Sequence, residues 1–321
     1  MTNKGLLRIG QVGAGAEADL HLRAFVESAR VGDVCLVAEG PEGERLAAAW
    51  GIVKWRADWP ELLAEESVDV VNLAVGPERA PALAAEALRA GKHVMVAAPP
   101  AATLEDFDEM VAVAEASGRR LLVQLTELAH PALQRARKLV AAGEIGPLQL
   151  ARSLVLCPEA PEGEALRAAL YQAAYVLEAF LGPAREVLAL GSPGPALAAV
   201  LAHESGALGE IAVVCAAGAA PAHETQLVGG EGLLLVRDAP EDEMPLLLTR
   251  GRETLPVPVP LPLQVRPWLV ARMLGGLLEA LVEDHEAEVT LAQARSALAT
   301  ALACEAEWRV VSPDVGASLA M

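Results

Sequence analysis

The sequence contains few aromatic residues, few lysines and few cysteines. Of its 321 residues, 3% are aromatic and four are lysines. The four cysteines, Cys35, Cys157, Cys215 and Cys304, are far apart, form no CxxC pair and have no histidine at metal-ligand spacing. This pattern indicates neither a metal site nor a redox motif, and we expect four small buried side chains.

Basic residues and long apolar runs are scarce as well. The chain has 25 Lys and Arg against 43 Asp and Glu, which gives a formal net charge of -18. Such a charge repels phosphate backbones and anionic lipid surfaces, so we expect no nucleic-acid or membrane partner. No apolar run of membrane-spanning length lacks Gly or Pro, and the N-terminal segment turns polar and Gly-rich too early for a signal peptide. We therefore expect a soluble, cytoplasmic protein.

The hydrophobic fraction of 53% is sufficient for large cores, and the length favours two domains over one. Up to residue 123, short β-type runs alternate with helical patterns, which is typical of βαβ units and a parallel sheet. The expected strands cover residues 6–12, 34–38, 68–75, 93–97 and 120–125. Thr103 and Asp106 resemble a capping box for a helix that runs through Ser117.

The pattern changes after residue 123. Helical stretches over 131–142 and 164–181 precede β-type segments between about 185 and 259, and strands in succession favour an antiparallel or mixed sheet. The proline-rich segment 256–262 cannot donate a regular ladder of hydrogen bonds and is expected to be an extended connector. Helical patterns over 267–284 and 290–309 follow it. We expect an α/β fold with one domain over 1–123 and another over 124–321.

A Gly-rich turn joins the first expected strand to a helix. The turn has the sequence Gly13-Ala14-Gly15-Ala16-Glu17-Ala18. Its strand–turn–helix context is the one that the G-x-G-x-x-G/A dinucleotide fingerprint requires, so the first domain is predicted to be a Rossmann domain. Gly13 would allow the tight turn, and Gly15 would let the backbone approach a pyrophosphate. A Gly-rich turn that binds nothing is the alternative.

Glu39 follows the second expected strand. The fingerprint places there a carboxylate that accepts hydrogen bonds from the adenosine ribose hydroxyls. A carboxylate repels a 2′-phosphate, and no arginine occurs within residues 39–43. The sequence therefore favours NAD over NADP, and it leaves open that no cofactor is bound.

Several segments resemble the glucose-fructose oxidoreductase/inositol dehydrogenase (Gfo/Idh/MocA) family, in the family's order. They are Gly13-Ala-Gly15 followed by His21 and Ala24, Trp59-Pro-Glu-Leu-Leu63, Val68-Asp-Val-Val71, Ala87-Leu-Arg-Ala-Gly-Lys-His-Val94, Gly143-Glu-Ile-Gly146 and Gly230-Glu-Gly232. The resemblance implies a C-terminal domain on an open, mostly antiparallel sheet whose face mediates dimerisation. It also implies hydride transfer between a nicotinamide and a small hydroxylated molecule, with Ala74 and Val75 at the cofactor. His21 is expected to serve helix packing or capping.

The catalytic lysine of that family is absent. The family's Glu-Lys-Pro motif appears here as Ala97-Ala98-Pro99, so that Ala98 replaces the lysine that acts on the substrate hydroxyl proton. Neither alanine can transfer a proton. Because general acid–base assistance typically contributes about 10²–10⁴-fold, we expect altered or reduced hydride-transfer chemistry.

The family's Asp-x-x-x-His-x-x-Asp pattern is also changed. It aligns with residues 168–175, where Gln172 replaces the histidine and Tyr175 the second aspartate. Tyr171 and Tyr175 are four residues apart and therefore share a helix face. Ala98, Tyr171, Gln172 and Tyr175 are candidate substrate-pocket residues, with packing against the sheet as the alternative for the tyrosines. No residue is identified as catalytic, and no metal site is expected.

Two functions remain open. The first is an NAD(P)-binding oxidoreductase for an unknown small molecule; an enzyme that reduces a conjugated or activated acceptor needs no lysine, since the proton can come from water or the substrate. The second is a non-catalytic ligand-sensing or partner subunit that keeps the scaffold. In both cases we expect a small-molecule ligand and a homo-oligomer, which the family resemblance suggests is a dimer.

Overall fold

The computed structural model divides into two compact units. The first comprises Met1–His130 and Leu261–Arg295, and the second comprises Pro131–Pro260 and Ser296–Met321. Within them the structure describes residues 6–38, 40–56, 58–65, 67–159, 162–192, 196–218, 220–238, 244–306 and 309–310.

The helices are distributed over both units. They are α1 (Ala16–Val26), α2 (Gly40–Ala49), α3 (Trp59–Ala64), α4 (Ala80–Arg89), α5 (Leu104–Ser117), α6 (Pro131–Ala141), α7 (Gly163–Leu181), α8 (Val265–Val282) and α9 (Leu291–Ala306), with a short 3-10 helix at Glu127–Ala129. Within the described residues, no helix is both long and apolar enough to cross a membrane.

The strands form one sheet in each unit. They are β1 (Leu7–Val12), β2 (Val31–Val37), β3 (Lys54–Arg56), β4 (Val70–Leu73), β5 (His93–Ala97), β6 (Leu121–Gln124), β7 (Leu148–Cys157), β8 (Ala184–Ser192), β9 (Ala196–His203), β10 (Leu208–Cys215), β11 (Ala222–Gly229), β12 (Leu233–Asp238), β13 (Leu246–Arg250), β14 (Glu253–Pro256) and β15 (Arg309–Val310).

The first unit has the expected Rossmann architecture. Its six strands are all parallel, in the order β3-β2-β1-β4-β5-β6. The five predicted strands correspond to β1, β2, β4, β5 and β6. Strand β3 was not predicted, because three residues are too few to show a periodicity. Thr103 is confirmed as the N-cap of α5, since its side chain accepts a hydrogen bond from the Asp106 backbone N–H at 3.1 Å.

Helix α8 belongs to the first unit, whereas the sequence pattern predicts it in the domain over 124–321. Its residues Val270, Leu274 and Leu278 share one buried cluster with Phe25 of α1 and Ile9 of β1. Helix α8 thus covers, beside α1, a part of the sheet that would otherwise expose apolar side chains. The chain returns to the first unit because this packing buries the apolar face of α8.

The second unit is built on the predicted mostly antiparallel sheet. Its nine strands have the order β14-β13-β12-β11-β7-β10-β9-β8-β15, and only the β7–β10 and β8–β15 pairs among the described strands are parallel. Helix α7 packs on β7 and β10, and α6 packs on β12. Strand β7 was not predicted, because its partly buried residues show no clean alternation. Strand β14 ends at Pro256, and residues 257–262 form neither helix nor strand.

Only two of the four cysteines are buried as expected. All four are free thiols; Cys35 and Cys304 are buried, whereas Cys157 and Cys215 are partly exposed. The last two are in register at the ends of β7 and β10, where both strands leave the most buried part of the sheet. The expectation of four buried side chains is therefore wrong for this pair.

Candidate functional site

The turn between β1 and α1 has the backbone geometry that only glycine adopts easily. Gly13 and Gly15 have φ of 108° and 98°. A Cβ at Gly13 would lie 2.2 Å from the carbonyl oxygen of Ala74, so this glycine lets the turn pack against the residue that follows β4. A Cβ at Gly15 would meet nothing within 4 Å, which leaves open space above the start of α1.

The first amide groups of α1 face this space without a side-chain cap. The N-cap residue is Gly15, and its carbonyl oxygen accepts the hydrogen bond from the Asp19 N–H at 3.0 Å. Ala14 and Ala16 are exposed on either side of it. Uncapped helix amides and the positive end of the helix dipole attract an anion. The turn therefore fits the pyrophosphate of a dinucleotide.

The loop after β4 lies beside the turn. The Ala74 N–H donates to the carbonyl oxygen of Val12 at 2.9 Å, and both Ala74 and Val75 are half-buried. The predicted ribose-binding residue, Glu39, lies outside the described residues. Arg56 is in register with Val37 at the end of β2, and its guanidinium lies 3.3 Å from the Glu61 carboxylate.

The end of β5 carries no proton-transferring side chain. Ala97 and Ala98 are half-buried, and Ala97 is in register with Gln124 of β6. The side chain of Gln124 reaches Asn72 of β4 and donates a hydrogen bond to its Oδ1. A carboxamide from β6 therefore extends past the strand that ends in the alanines.

Asn72 is the centre of a buried polar network that no pattern in the sequence predicts. Its Nδ2 donates to Gln11 Oε1 at 2.6 Å and lies 3.0 Å from Nδ1 of His21. Gln11, His21, Asn72 and Gln124 are all buried. The two hydrogens of Nδ2 thus serve Gln11 and His21, so that His21 Nδ1 is an acceptor and its proton is on Nε2. The network joins three strands to α1 beneath the Gly-rich turn.

Nε2 of His21 faces Glu17 in the first turn of α1. The Glu17 Oε1 oxygen lies 3.4 Å from this nitrogen, and its Oε2 oxygen accepts a hydrogen bond from Arg266 Nη2 at 3.0 Å. The contact with the His21 ring and the nearby Arg266 guanidinium lower the pKa of the Glu17 carboxyl. Glu17 is therefore a carboxylate with a partner on each oxygen. Arg266 and Glu17 are 249 residues apart in the sequence, so no local pattern predicts their contact.

The predicted pocket residues of the second domain all lie on α7. Tyr171 and Tyr175 are fully buried, whereas Gln172 is half-buried. The helix packs with its buried side on β7 and β10. The structure brings the three residues together within the second unit, and Ala98 lies in the first.

Comparison with known proteins supports the sequence resemblance. Residues 7–125 match the family described as "Oxidoreductase family, NAD-binding Rossmann fold", or Gfo/Idh/MocA. This segment of the first unit is similar to the NAD-binding domain of that family. A curated relative is the 1-carboxy-3-chloro-3,4-dihydroxycyclohexa-1,5-diene dehydrogenase of Comamonas testosteroni, which is 33% identical over 150 residues. That match covers 46% of this chain and 38% of the relative, so the chain matches less than half of the relative's length.

Solved structures share the fold over most of the chain. The biliverdin reductase of Synechocystis, in complex with biliverdin and NADP+, has a TM-score of 0.79 at 22% identity and covers 94% of this chain and 99% of its own. An oxidoreductase from Agrobacterium radiobacter, in complex with NAD+, L-tartaric acid and magnesium, has a TM-score of 0.81 at 18% identity. It covers 94% of this chain and 96% of its own. At these identities the similarity shows a common fold and nothing more specific.

Proposed function

We propose that this chain binds NAD and transfers hydride between the nicotinamide and a small molecule, without a side chain at position 98 that moves a proton. The observation that carries the proposal is the Gly13–Gly15 turn. Its open space lies above the uncapped amides of α1, while β5 ends at Ala97 and is followed by Ala98. The Gly-rich turn that the dinucleotide fingerprint requires is thus present, and the lysine that moves a proton in the family is not.

The residues at the end of β5 limit the substrates that such an enzyme can use. When bound, the nicotinamide supplies or accepts the hydride. Ala97 and Ala98 bind no proton, so the chain favours an acceptor that takes its proton from water or already carries it. We infer a conjugated or otherwise activated acceptor. Oxidation of a simple alcohol needs a base and would lose about 10²–10⁴-fold without one.

NAD is the cofactor that the charges favour. Glu39 follows the end of β2 in sequence, and Arg56 beside this end is engaged with Glu61. A carboxylate accepts hydrogen bonds from ribose hydroxyls and repels a 2′-phosphate. We propose Gly13, Ala14, Gly15, Ala16, Glu39, Ala74 and Val75 as the cofactor-binding residues.

The second unit is proposed to form a homodimer. One face of its sheet carries the exposed apolar residues Leu188, Val200 and Leu208, and Leu188 and Val200 are cross-strand partners. A contiguous apolar surface of this kind favours association with another protein surface. A second copy of the same face is an occupant of matching chemistry.

Calorimetric titration tests the cofactor proposal. We expect NADH to bind more tightly than NADPH, and a Glu39→Gln variant to reduce the difference because it removes the charge that repels the 2′-phosphate. Absence of binding by both nucleotides would contradict the proposal and favour the partner-subunit alternative. Rapid reduction of NAD+ with myo-inositol would contradict the acceptor class.

A further inference from the structure

Arg266 contacts Glu17, in the first turn of α1, although the two residues are 249 positions apart in the sequence. We propose that Arg266 is a phosphate-binding residue of the dinucleotide site, which pairs with Glu17 while the site is free and with the pyrophosphate when the dinucleotide binds. This inference rests on the proposed binding of NAD.

The position of Arg266 follows from the packing of α8 on α1. Arg266 is the second residue of α8, and Glu17 is the second residue of α1. Arg266 Nη2 lies 3.0 Å from Glu17 Oε2, and the Arg266 side chain is 76% exposed. The guanidinium is therefore held at the first turn of α1, the part of the helix whose amides fit a pyrophosphate, and solvent surrounds most of it.

The charge of Glu17 opposes binding of a pyrophosphate at this turn. A carboxylate in the first turn stabilises the free helix, since it interacts with the positive end of the dipole. The same carboxylate repels an incoming phosphate. Asp19, the other acidic residue of the turn, accepts a hydrogen bond from Trp50 Nε1 at 2.8 Å and so is directed to a different neighbour. Glu17 is the acidic residue of the turn that Arg266 neutralises.

Arg266 can change partner because Glu17 has another one. His21 keeps its proton on Nε2, since its Nδ1 accepts from Asn72, and Nε2 faces Glu17 Oε1 at 3.4 Å. This contact holds the carboxylate after the guanidinium leaves. A guanidinium can form two parallel hydrogen bonds to two phosphate oxygens. In the free site, Arg266 has a hydrogen bond to only one oxygen of Glu17. The pyrophosphate is therefore the stronger partner for Arg266.

Opposite effects of two substitutions distinguish this role from a structural one. We expect Arg266→Gln to raise the Kd for NADH about threefold, the size of a charge interaction at an exposed site. Glu17→Gln removes the repulsion and frees Arg266, so it should lower the Kd about twofold to threefold. A pair that only stabilises the fold would give changes of the same sign.

Arg23→Gln is the matched control. Arg23 lies in the last turn of α1 and donates to Gln264, on the same α1–α8 seam but at the other end of α1. We expect its Kd for NADH to equal that of the wild type. Arg266→Lys keeps the charge and should fall between Arg266→Gln and the wild type.

Titrations of NADH and ADP at low and high salt, with melting temperatures for each variant, complete the test. ADP contains the two phosphates without nicotinamide, so its Kd should change with Arg266→Gln as that of NADH does. High salt should reduce the difference from the wild type. Unchanged binding by Arg266→Gln, or weaker binding by both Gln variants, would overturn the inference while the NAD proposal stands. Failure of the wild type to bind NADH would overturn both.

Discussion

Gly13 has a backbone conformation and a neighbour that exclude any side chain. Its φ is 108°, and a Cβ would lie 2.2 Å from the Ala74 carbonyl oxygen. A backbone oxygen cannot move aside as the end of a flexible side chain can. An alanine at this position must therefore displace the turn or the residue after β4, and both flank the space proposed for the cofactor.

Gly13→Ala should consequently abolish NADH binding. We expect the free energy of unfolding to fall as well, by about 1–3 kcal/mol, because strain and a steric clash add. Gly51→Ala is the control, since Gly51 has φ of 65° but space around its Cβ position. It should lose about 1–2 kcal/mol of stability and keep the wild-type Kd. Chemical denaturation and calorimetry measure both quantities, and normal NADH binding by Gly13→Ala would show that the turn is not the cofactor site.

The exposure of each cysteine side chain predicts which thiols react. Cys157 and Cys215 are partly exposed, whereas Cys35 and Cys304 are buried, and burial raises the pKa of Cys304 to about 12. Because the thiolate is the nucleophile, we expect two thiols per folded chain to react with Ellman's reagent at pH 8 and four after denaturation. Cys157→Ser and Cys215→Ser should each remove one reactive thiol. Labelling of Cys304 in the folded chain would contradict the packing around α9.

Residues adjacent in sequence were predictable, whereas distant partners were not. The Gly13–Gly15 turn combines strand, glycines and helix within a few residues, so its geometry could be expected. The contacts of Glu17 with Arg266 and of His21 with Asn72 depend on how α8 and β4 pack against α1. The sequence predicted helix packing or capping for His21 and could not reveal that a carboxamide fixes its tautomer.

At the scale of elements, helices were easier to predict than the unit to which they belong. The apolar pattern of α8 indicated a helix, but an apolar face fits any core of suitable shape. Its packing beside α1 assigns it to the first unit. The sequence likewise predicted α9 as a helix but not its unit, since α9 begins in the first unit and continues in the second.

The contact between α7 and α9 in the second unit includes a partly buried carboxyl group, that of Glu178. The Glu178 Oε1 oxygen accepts a hydrogen bond from Thr300 Oγ1 at 2.6 Å. Burial raises the pKa of Glu178 above the ordinary value of 4.5, against the opposing effect of hydrogen bonds from Ser296 and Thr300. The folded chain therefore binds the proton more tightly than the unfolded chain does.

The pH dependence of stability follows from this difference. Stability from Glu178 is lost as the pH rises from the unfolded pKa, near 4.5, through the raised folded pKa. Glu178→Gln does not titrate and keeps an acceptor for Thr300. Its free energy of unfolding should match that of the wild type below pH 4 and exceed it at pH 7. Urea denaturation at both pH values measures this, and a difference that grows toward acid pH would contradict the assignment.

At the scale of the whole molecule, net charge and the open sheet face act in opposite directions. Two copies with a formal charge of -18 each repel one another, and salt screens this repulsion. Near Val200 the charged pair Arg152 and Glu210 has its nitrogen and oxygen 3.4 Å apart, and Glu210 is the cross-strand partner of Val200. The centre of this face therefore has apolar side chains and an ion pair, and carries no net charge.

A single charge at this centre should separate the proposed dimer. Val200 is 44% exposed and Leu188 is 53% exposed, so Val200→Lys changes the surface without disturbing the buried face of the sheet. In light scattering after size exclusion, we expect the wild type at twice the chain mass of 33.4 kDa and Val200→Lys at the mass of one chain, with equal melting temperatures in dilute solution.

Val53→Lys, at an exposed site in the first unit, should remain a dimer. Because screening reduces repulsion between like-charged copies, the wild-type dimer should persist to lower concentration as salt rises. A monomeric wild type, or a dimeric Val200→Lys, would show that this face does not join two copies.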